Sequence, residues 1–290
     1  MQLNRRHFLK TIGVIGAGSV LAQPETSRRS DTEAAISAIR VAQIKVYPQK
    51  GELEANHQKL MDILKGIEKN EHVDVVVTPE GFLDGYVSTE KSVTKQDMVK
   101  YAIDPLASEY TRTISDWAAR NKAWVVYGCA RKAADGVFNT ALIYNRSGAL
   151  VGMYDKLHLQ EHDLKYTPGR HLNVYESDFG LFGVMICADR RWPETARTLT
   201  LKGARVIFNP TYGMHGELNL CMMRTRSYEN GIYIVFTHPG QSLITDPRGA
   251  VVCNNEDQNS TYTVTEIDLS KAPANKGGHI ADRRTDVYKL

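Results

Sequence analysis

The chain has 290 residues, 42% hydrophobic and 24% charged, the proportions of an ordinary globular protein and not of a disordered or fibrous one. Its formal charge of +3 is matched by Arg5, Arg6 and Lys10, which no acid balances in the first 22 residues, so nothing implies a nucleic-acid partner. Four cysteines, Cys129, Cys187, Cys221 and Cys253, show no CxxC spacing, which argues against a zinc knuckle and a dense disulfide framework.

Residues 1–22 read as a targeting segment. NRRHFLK (Asn4 to Lys10) resembles the twin-arginine export consensus, and the apolar run from Thr11 ends in Val20, Leu21 and Ala22, a small-residue cleavage pattern. That run is too short to span a membrane, and its glycines follow an arginine pair instead of a strand, which discounts a dinucleotide loop. The expectation is a protein exported already folded, periplasmic or extracellular, with no stable membrane association once the segment is removed. Residues 23–38 are polar and read as a linker.

Residues 39–272 alternate strands and helices. IRVAQIKVY (Ile39 to Tyr47) predicts a strand, and Leu53, Leu60, Met61, Leu64 and Ile67 recur at helical spacing. A strand in HVDVVVT (His72 to Thr78) follows, then a helix whose core face holds Ile114, Trp117 and Ala118. AWVVYGCA, VFNTALIYN and ALVGMY read as consecutive strands, and GLFGVMIC (Gly180 to Cys187) continues the series. A helix from Pro193 to Lys202 ends at Gly203, ARVIFNP is a buried strand, and a helix from about Glu217 stops at Asn230-Gly231. IYIVFT, SLITD, AVVC and TYTVTEI close the domain, and residues 273–290 form a polar extension expected to reach a neighbouring subunit. The pattern supports a layered α/β domain with mixed sheets, without internal repeat or second domain, and leaves the strand order open.

Three strand ends carry chemistry. Cys187 stands where an apolar strand breaks into the polar turn ADRRWPE, and arginines with a helix N-terminus close by favour a thiolate. Glu80 follows the strand ending at Thr78-Pro79, and Lys156 follows ALVGMYD. Ligands collect at strand ends in α/β sheets, so the three can meet in one pocket. Taken singly, a cysteine at a strand end is more often a packed hydrophobe and such charges are more often surface groups.

Six segments resemble the nitrilase or carbon-nitrogen hydrolase superfamily in that family's order. They are PEGFLDGY around Glu80, FNTALIYNRSGALVGMYDKLHL around Lys156, CADRRWPE, NPTYG (Asn209 to Gly213), RSYENGIYIV and SLITDPRGAVV. The resemblance implies a single domain of four layers, an α-β-β-α sandwich of nitrilase type, assembled as a homodimer or higher homo-oligomer. It implies a Glu-Lys-Cys triad of Glu80, Lys156 and Cys187 that hydrolyses a non-peptide C–N bond through a thioester. Glu80 would be the base, with the Lys156 ammonium and the Ala188 N–H as oxyanion donors. Such chemistry needs no metal or organic cofactor. Cys187 must stay reduced, so no disulfide is expected there.

Family members also carry a second glutamate before a downstream Pro-Gly, here Pro168-Gly169, which suggests Glu161, with Asp163 as the substitute. The CADRRWPE turn is similar to that of the N-carbamoyl-D-amino acid amidohydrolases, which implies a ureido substrate whose carboxylate Arg190 and Arg191 hold, against a role for both in bracing the turn on Asp189 or Glu194. Asn209 is the further substrate-binding candidate. Ala188 replaces a larger polar residue of those enzymes and the loop from Leu159 to Gly169 is shorter, so amide and nitrile substrates stay open. From another class, HLQEH (His158 to His162) matches the inverted zinc-peptidase pattern, with His158 and His162 as ligands beside Glu161, although the connector is short for a helix and no third ligand is evident. A noncatalytic binding protein on the same fold is disfavoured by the presence of all three triad residue types.

Overall fold

Alternation in the first strand sends Ile39 and Val41 to one side and Ala42 and Ile44 to the other, and both sides are buried. A strand with apolar groups on both faces needs a packed layer on each. A computed structural model describes residues 36–272 and 279–288 and supplies those layers. The expected targeting segment at residues 1–22, residues 23–35 of the expected linker, and residues 273–278 and 289–290 of the expected C-terminal extension lie outside the described residues.

The first half runs β1 (Ala38–Ile44), α1 (Leu53–Asn70), β2 (Val75–Val77), α2 (Glu109–Asn121), β3 (Trp124–Ala133), β4 (Gly136–Tyr144) and β5 (Leu150–Asp155). The second runs β6 (Val174–Ser177), β7 (Gly180–Val184), α3 (Pro193–Leu201), β8 (Val206–Pro210), α4 (Glu217–Asn230), β9 (Tyr233–His238), β10 (Gln241–Thr245) and β11 (Val251–Asn255). The final strand β12 (Tyr262–Asp268) returns to the first sheet, antiparallel to β1. One six-stranded sheet has the order β12-β1-β2-β3-β4-β5 and the other β11-β10-β9-β8-β7-β6. Among the strands of the described residues, parallel pairing is confined to β1-β2-β3 and β7-β8-β9, where a helix makes each crossover. From β1 and from β7 onward the two halves therefore pass through the same succession of elements, a repetition that the residues themselves do not display.

Leu60, Leu64 and Ile67 of α1 and Ile114, Trp117 and Ala118 of α2 cover the outer face of the first sheet. Ala196 and Leu199 of α3 and Met223 of α4 cover that of the second. Between the sheets, Phe182 packs its ring against Trp124, Tyr175, Phe179 and Phe208 at centroid distances of 5.4 to 5.6 Å. This is the four-layer α-β-β-α sandwich.

Two expectations change. β6 was not foreseen, because four residues with a polar half, paired only to β7, carry almost no periodic signal. The strand expected to reach Cys187 ends at Val184, because the Asp189 carboxylate takes the Ile186 N–H and closes the 187–191 segment into a 3-10 turn. Among the described residues no helix is long and apolar enough to cross a membrane.

Replacing Phe182 with Ala removes the side chain on which both sheets close. The expected cost is about 3 to 5 kcal/mol in urea-induced unfolding, and a loss under about 1 kcal/mol would mean that the inter-sheet contact lies elsewhere.

Candidate active site

Glu80 owes its position to close backbone packing. Thr78 N–H donates to the Val126 carbonyl at 3.0 Å, and the Gly128 N–H donates to the Thr78 hydroxyl at 2.9 Å. A Cβ on Gly128 would stand 2.3 Å from the Pro79 carbonyl oxygen, so only glycine lets β3 lie against this turn. The buried Glu80 carboxylate then accepts three hydrogen bonds: Lys156 Nζ at 2.7 Å and Asn139 Nδ2 at 2.8 Å on Oε1, and the Tyr212 N–H at 3.0 Å on Oε2.

Lys156 is held at both ends. Its N–H donates to the Asn139 carbonyl at 2.9 Å, and its ammonium donates to Glu80, to Asp163 Oδ2 at 2.5 Å and to the Tyr86 hydroxyl at 3.3 Å. Tyr86 in turn donates to Asp163 Oδ1 at 2.6 Å. Burial alone would lower the ammonium's pKa, but the charges of Glu80, Cys187 and Asp163 outweigh it and hold Lys156 above its ordinary value. Burial raises the Tyr86 phenol, and the neighbouring carboxylates raise it further, so it stays a neutral donor.

Cys187 opens the 3-10 turn at Cys187–Arg191 with φ of 45°, a left-handed conformation that a residue with a side chain adopts only under strain. The thiol is 7% exposed. Burial and the Glu80 charge push its pKa up, while Lys156, Arg190 and the Gly213 N–H pull the other way. Gly213, itself exposed, lies against the sulfur: a Cβ there would stand 3.4 Å from Sγ, in ordinary van der Waals contact.

The second sheet grips the first beside this site. The fully buried Asp189 carboxylate accepts the Tyr154 hydroxyl at 2.7 Å, the His158 N–H at 2.9 Å and His158 Nδ1 at 2.8 Å, and His158 stacks on Trp192 with centroids 4.0 Å apart. Lys156 and Cys187 are thereby tied together through the residues that follow each.

Glu80, Lys156 and Cys187 thus come together, with buried Ala188 directly after the thiol. Other expectations are corrected. The second carboxylate at Lys156 is Asp163, not Glu161: residues 161–163 form a single 3-10 turn, which sends their side chains in different directions and leaves Glu161 exposed. Arg191 is also exposed and donates to Gln160 Oε1 at 2.5 Å, away from the thiol. Arg190 is buried with a partner on each of its three guanidinium nitrogens, and neither arginine pairs with Asp189 or Glu194. Asn209 is buried and donates to the Met185 carbonyl at 2.9 Å, bracing the chain ahead of Cys187. The zinc reading fails on geometry, because His158 pairs with Asp189 while His162 meets the Tyr86 hydroxyl at 3.0 Å, and the two share no helix face. Among the described residues no three His, Cys, Asp or Glu side chains are grouped to hold a metal ion.

Sequence reasoning missed Asn139, Tyr86 and the Tyr212 N–H. Asn139 had a visible signal, a polar residue within the otherwise apolar VFNTALIY strand. Tyr212 acts through its backbone, which no residue type announces.

The profile of the family described as Carbon-nitrogen hydrolase matches residues 38–275. A nitrilase of Pyrococcus abyssi is 30% identical over 272 residues, covering 86% of this chain and 99% of that protein. The omega-amidase NIT3 of Saccharomyces cerevisiae is 26% identical over 282 residues, covering 86% and 94%. In structure, the chain superposes on Saccharomyces cerevisiae Nit3 with a TM-score of 0.72 at 24% identity, covering 84% of this chain and 94% of that one. An amidase from Nesterenkonia sp. gives 0.68 at 18%, covering 86% and 94%.

Asp163→Asn removes one of the two charges that fix Lys156, and kcat/KM is expected to fall on the order of a hundredfold, as for loss of a positioning contact. Glu161→Gln is expected to stay within about twofold, as for an exposed surface substitution. Steady-state kinetics showing the reverse order would return the second carboxylate to Glu161.

Proposed function

The chain belongs to the carbon-nitrogen hydrolase family, and from that premise we propose that it hydrolyses small-molecule carboxamides through a thioester on Cys187. The observation that carries this reading is the buried contact of Lys156 Nζ with Glu80 Oε1 at 2.7 Å, within whose field the Cys187 thiol lies.

Glu80 takes the thiol proton, and the thiolate attacks the carboxamide carbon. The oxyanion that forms accepts from Lys156 Nζ, whose N–H is released from Glu80 on its protonation, and from the Ala188 N–H, the loss of either donor typically costing about 3 kcal/mol. As the tetrahedral species collapses, the protonated Glu80 gives its proton to the departing nitrogen and ammonia leaves. Glu80 then deprotonates a water, which attacks the thioester carbonyl, and the sulfur departs and regains its proton. Donors and base are all protein groups, so the water and the amide are the only reactants.

The similarity to the yeast omega-amidase and the Nesterenkonia amidase supports an amide. A nitrile is the second reading, favoured by the name of the Pyrococcus abyssi relative, and it would pass through a thioimidate on the same sulfur. The carbamoyl reading leaned on Arg190 and Arg191, of which one is committed to protein groups and the other faces away.

Intact-mass spectrometry after brief exposure to a panel of carboxamides, ureido acids and nitriles should show an acyl adduct with carboxamides, absent in Cys187→Ala. Turnover that persists in Cys187→Ala would end the thioester reading, and a carbamoyl adduct with ureido acids would restore the carbamoylase one.

A further inference from the structure

We propose that Arg190 is a catalytic residue of this chain, whose guanidinium stabilises the Cys187 thiolate, and that it does not hold a substrate carboxylate. The proposal rests on Cys187 being the nucleophile, as set out above.

Arg190 sits three residues after Cys187 in the 3-10 turn Cys187–Arg191, where side chains at i and i+3 eclipse one another. It is 1% exposed, and its Nη1 lies 3.6 Å from the Cys187 sulfur. The rest of the guanidinium is fixed by protein. Nε donates to Asn219 Oδ1 at 2.7 Å, Nη2 donates to the Met214 carbonyl at 2.5 Å, and the group lies 5.3 Å from the centre of the Phe236 ring. Its own carbonyl accepts from Arg226 Nε at 3.2 Å, which pins the turn to α4.

What is missing is a counterion. Among the described residues no Asp or Glu lies within ion-pair distance of Arg190. A guanidinium keeps its proton in proteins, and burying its charge without an anion is costly. Two neutral acceptors take part of the group, and the third direction ends at sulfur. An anion at Cys187 Sγ supplies the charge this environment lacks. Proton transfer from the thiol to Glu80 creates that anion without creating net charge: the S–H bond breaks, an O–H bond forms on Glu80, and the negative charge moves from carboxylate to sulfur beside Arg190. Since Asn219, Met214 and the sulfur occupy the fork, a bidentate grip on a substrate carboxylate would require breaking these contacts.

The test is the pH dependence of iodoacetamide alkylation, read at Cys187 by peptide mass spectrometry so that the exposed Cys221 does not contribute. It is run on the full chain with Arg190→Met, Arg190→Gln and Arg190→Lys. Loss of an opposite charge at this range is expected to raise the alkylation midpoint by about one pH unit or more in the Met and Gln variants, with Lys recovering most of the shift. KM for neutral and for carboxylate-bearing amides should change by the same factor. An unmoved midpoint in the variants that circular dichroism shows to be folded, or a KM that rises only for carboxylate-bearing amides, overturns the proposal. The Gln variant retains N–H donors for Asn219 or Met214, so loss of folding with Met alone leaves the test standing. Activity retained in Cys187→Ala would instead refute the nucleophile assignment, whatever the alkylation profile.

Discussion

One ammonium held between two carboxylates in a dry interior governs the site. Lys156 touches Glu80 and Asp163, and the three side chains have no solvent exposure. Removing such ions from water costs several kcal/mol each, and their attraction offsets this only when geometry is good and the remaining lone pairs are satisfied. The surroundings meet that condition. Asn139 and the Tyr212 N–H serve Glu80, and the Tyr86 hydroxyl serves Asp163. Groups from β4, the turn after β2, the 161–163 turn and the segment after β8 are therefore all required at one point, and the fold is the arrangement that delivers them there.

Delivery has to cross between the sheets. Glu80, Asn139 and Lys156 come from the first, whereas the Tyr212 N–H and Cys187 come from the second, so a slip of one sheet on the other would separate Glu80 from Cys187. The aromatic cluster around Phe182 resists that slip by packing, and Asp189 resists it by hydrogen bonds to Tyr154 and His158. Buried Asp189 is directional where the aromatic contacts are not. The left-handed backbone at Cys187 is sustained by this same carboxylate, which holds the Ile186 N–H at 3.0 Å just before the strained residue.

The strand ends bearing Glu80, Lys156 and Cys187 were legible because each shows an apolar run broken abruptly by proline or charge, and the helices were legible because α1 and α2 keep their apolar residues in register. Side-chain direction inside short turns was not. Glu161 and Asp163 are two residues apart, and Arg190 and Arg191 are neighbours, yet in each pair one is buried at the site and the other faces solvent. The phase of a 3-10 turn decides this, and three to five residues hold no periodicity from which to read it. Asn209 failed for a related reason: β8 alternates, with Phe208 facing the inter-sheet core and Asn209 the helical side, and the motif around it does not say which face holds the substrate. Strand order was closed to the sequence altogether, because the crossovers fix handedness but not which strand lies at each edge.

If Cys187 is the nucleophile proposed above, the charges around it account for a buried thiol that stays protonated at rest and still ionises during the reaction. Burial opposes the thiolate most strongly, and after burial the opposition comes from Glu80, while Lys156 and Arg190 favour it. In the proposed reaction Glu80 takes the proton and loses its charge, so the transfer that makes the thiolate also removes the anion acting against it. The two cations remain. Lys156, relieved of one carboxylate, keeps Asp163 as its anchor and has an N–H free to meet the oxygen of the substrate. On the proposed mechanism Asp163 has this part: with Glu80 as sole partner, the ammonium would be left without a counterion in the step that requires it to stay in place, whereas with two carboxylates one can be spent on chemistry while the other holds the geometry.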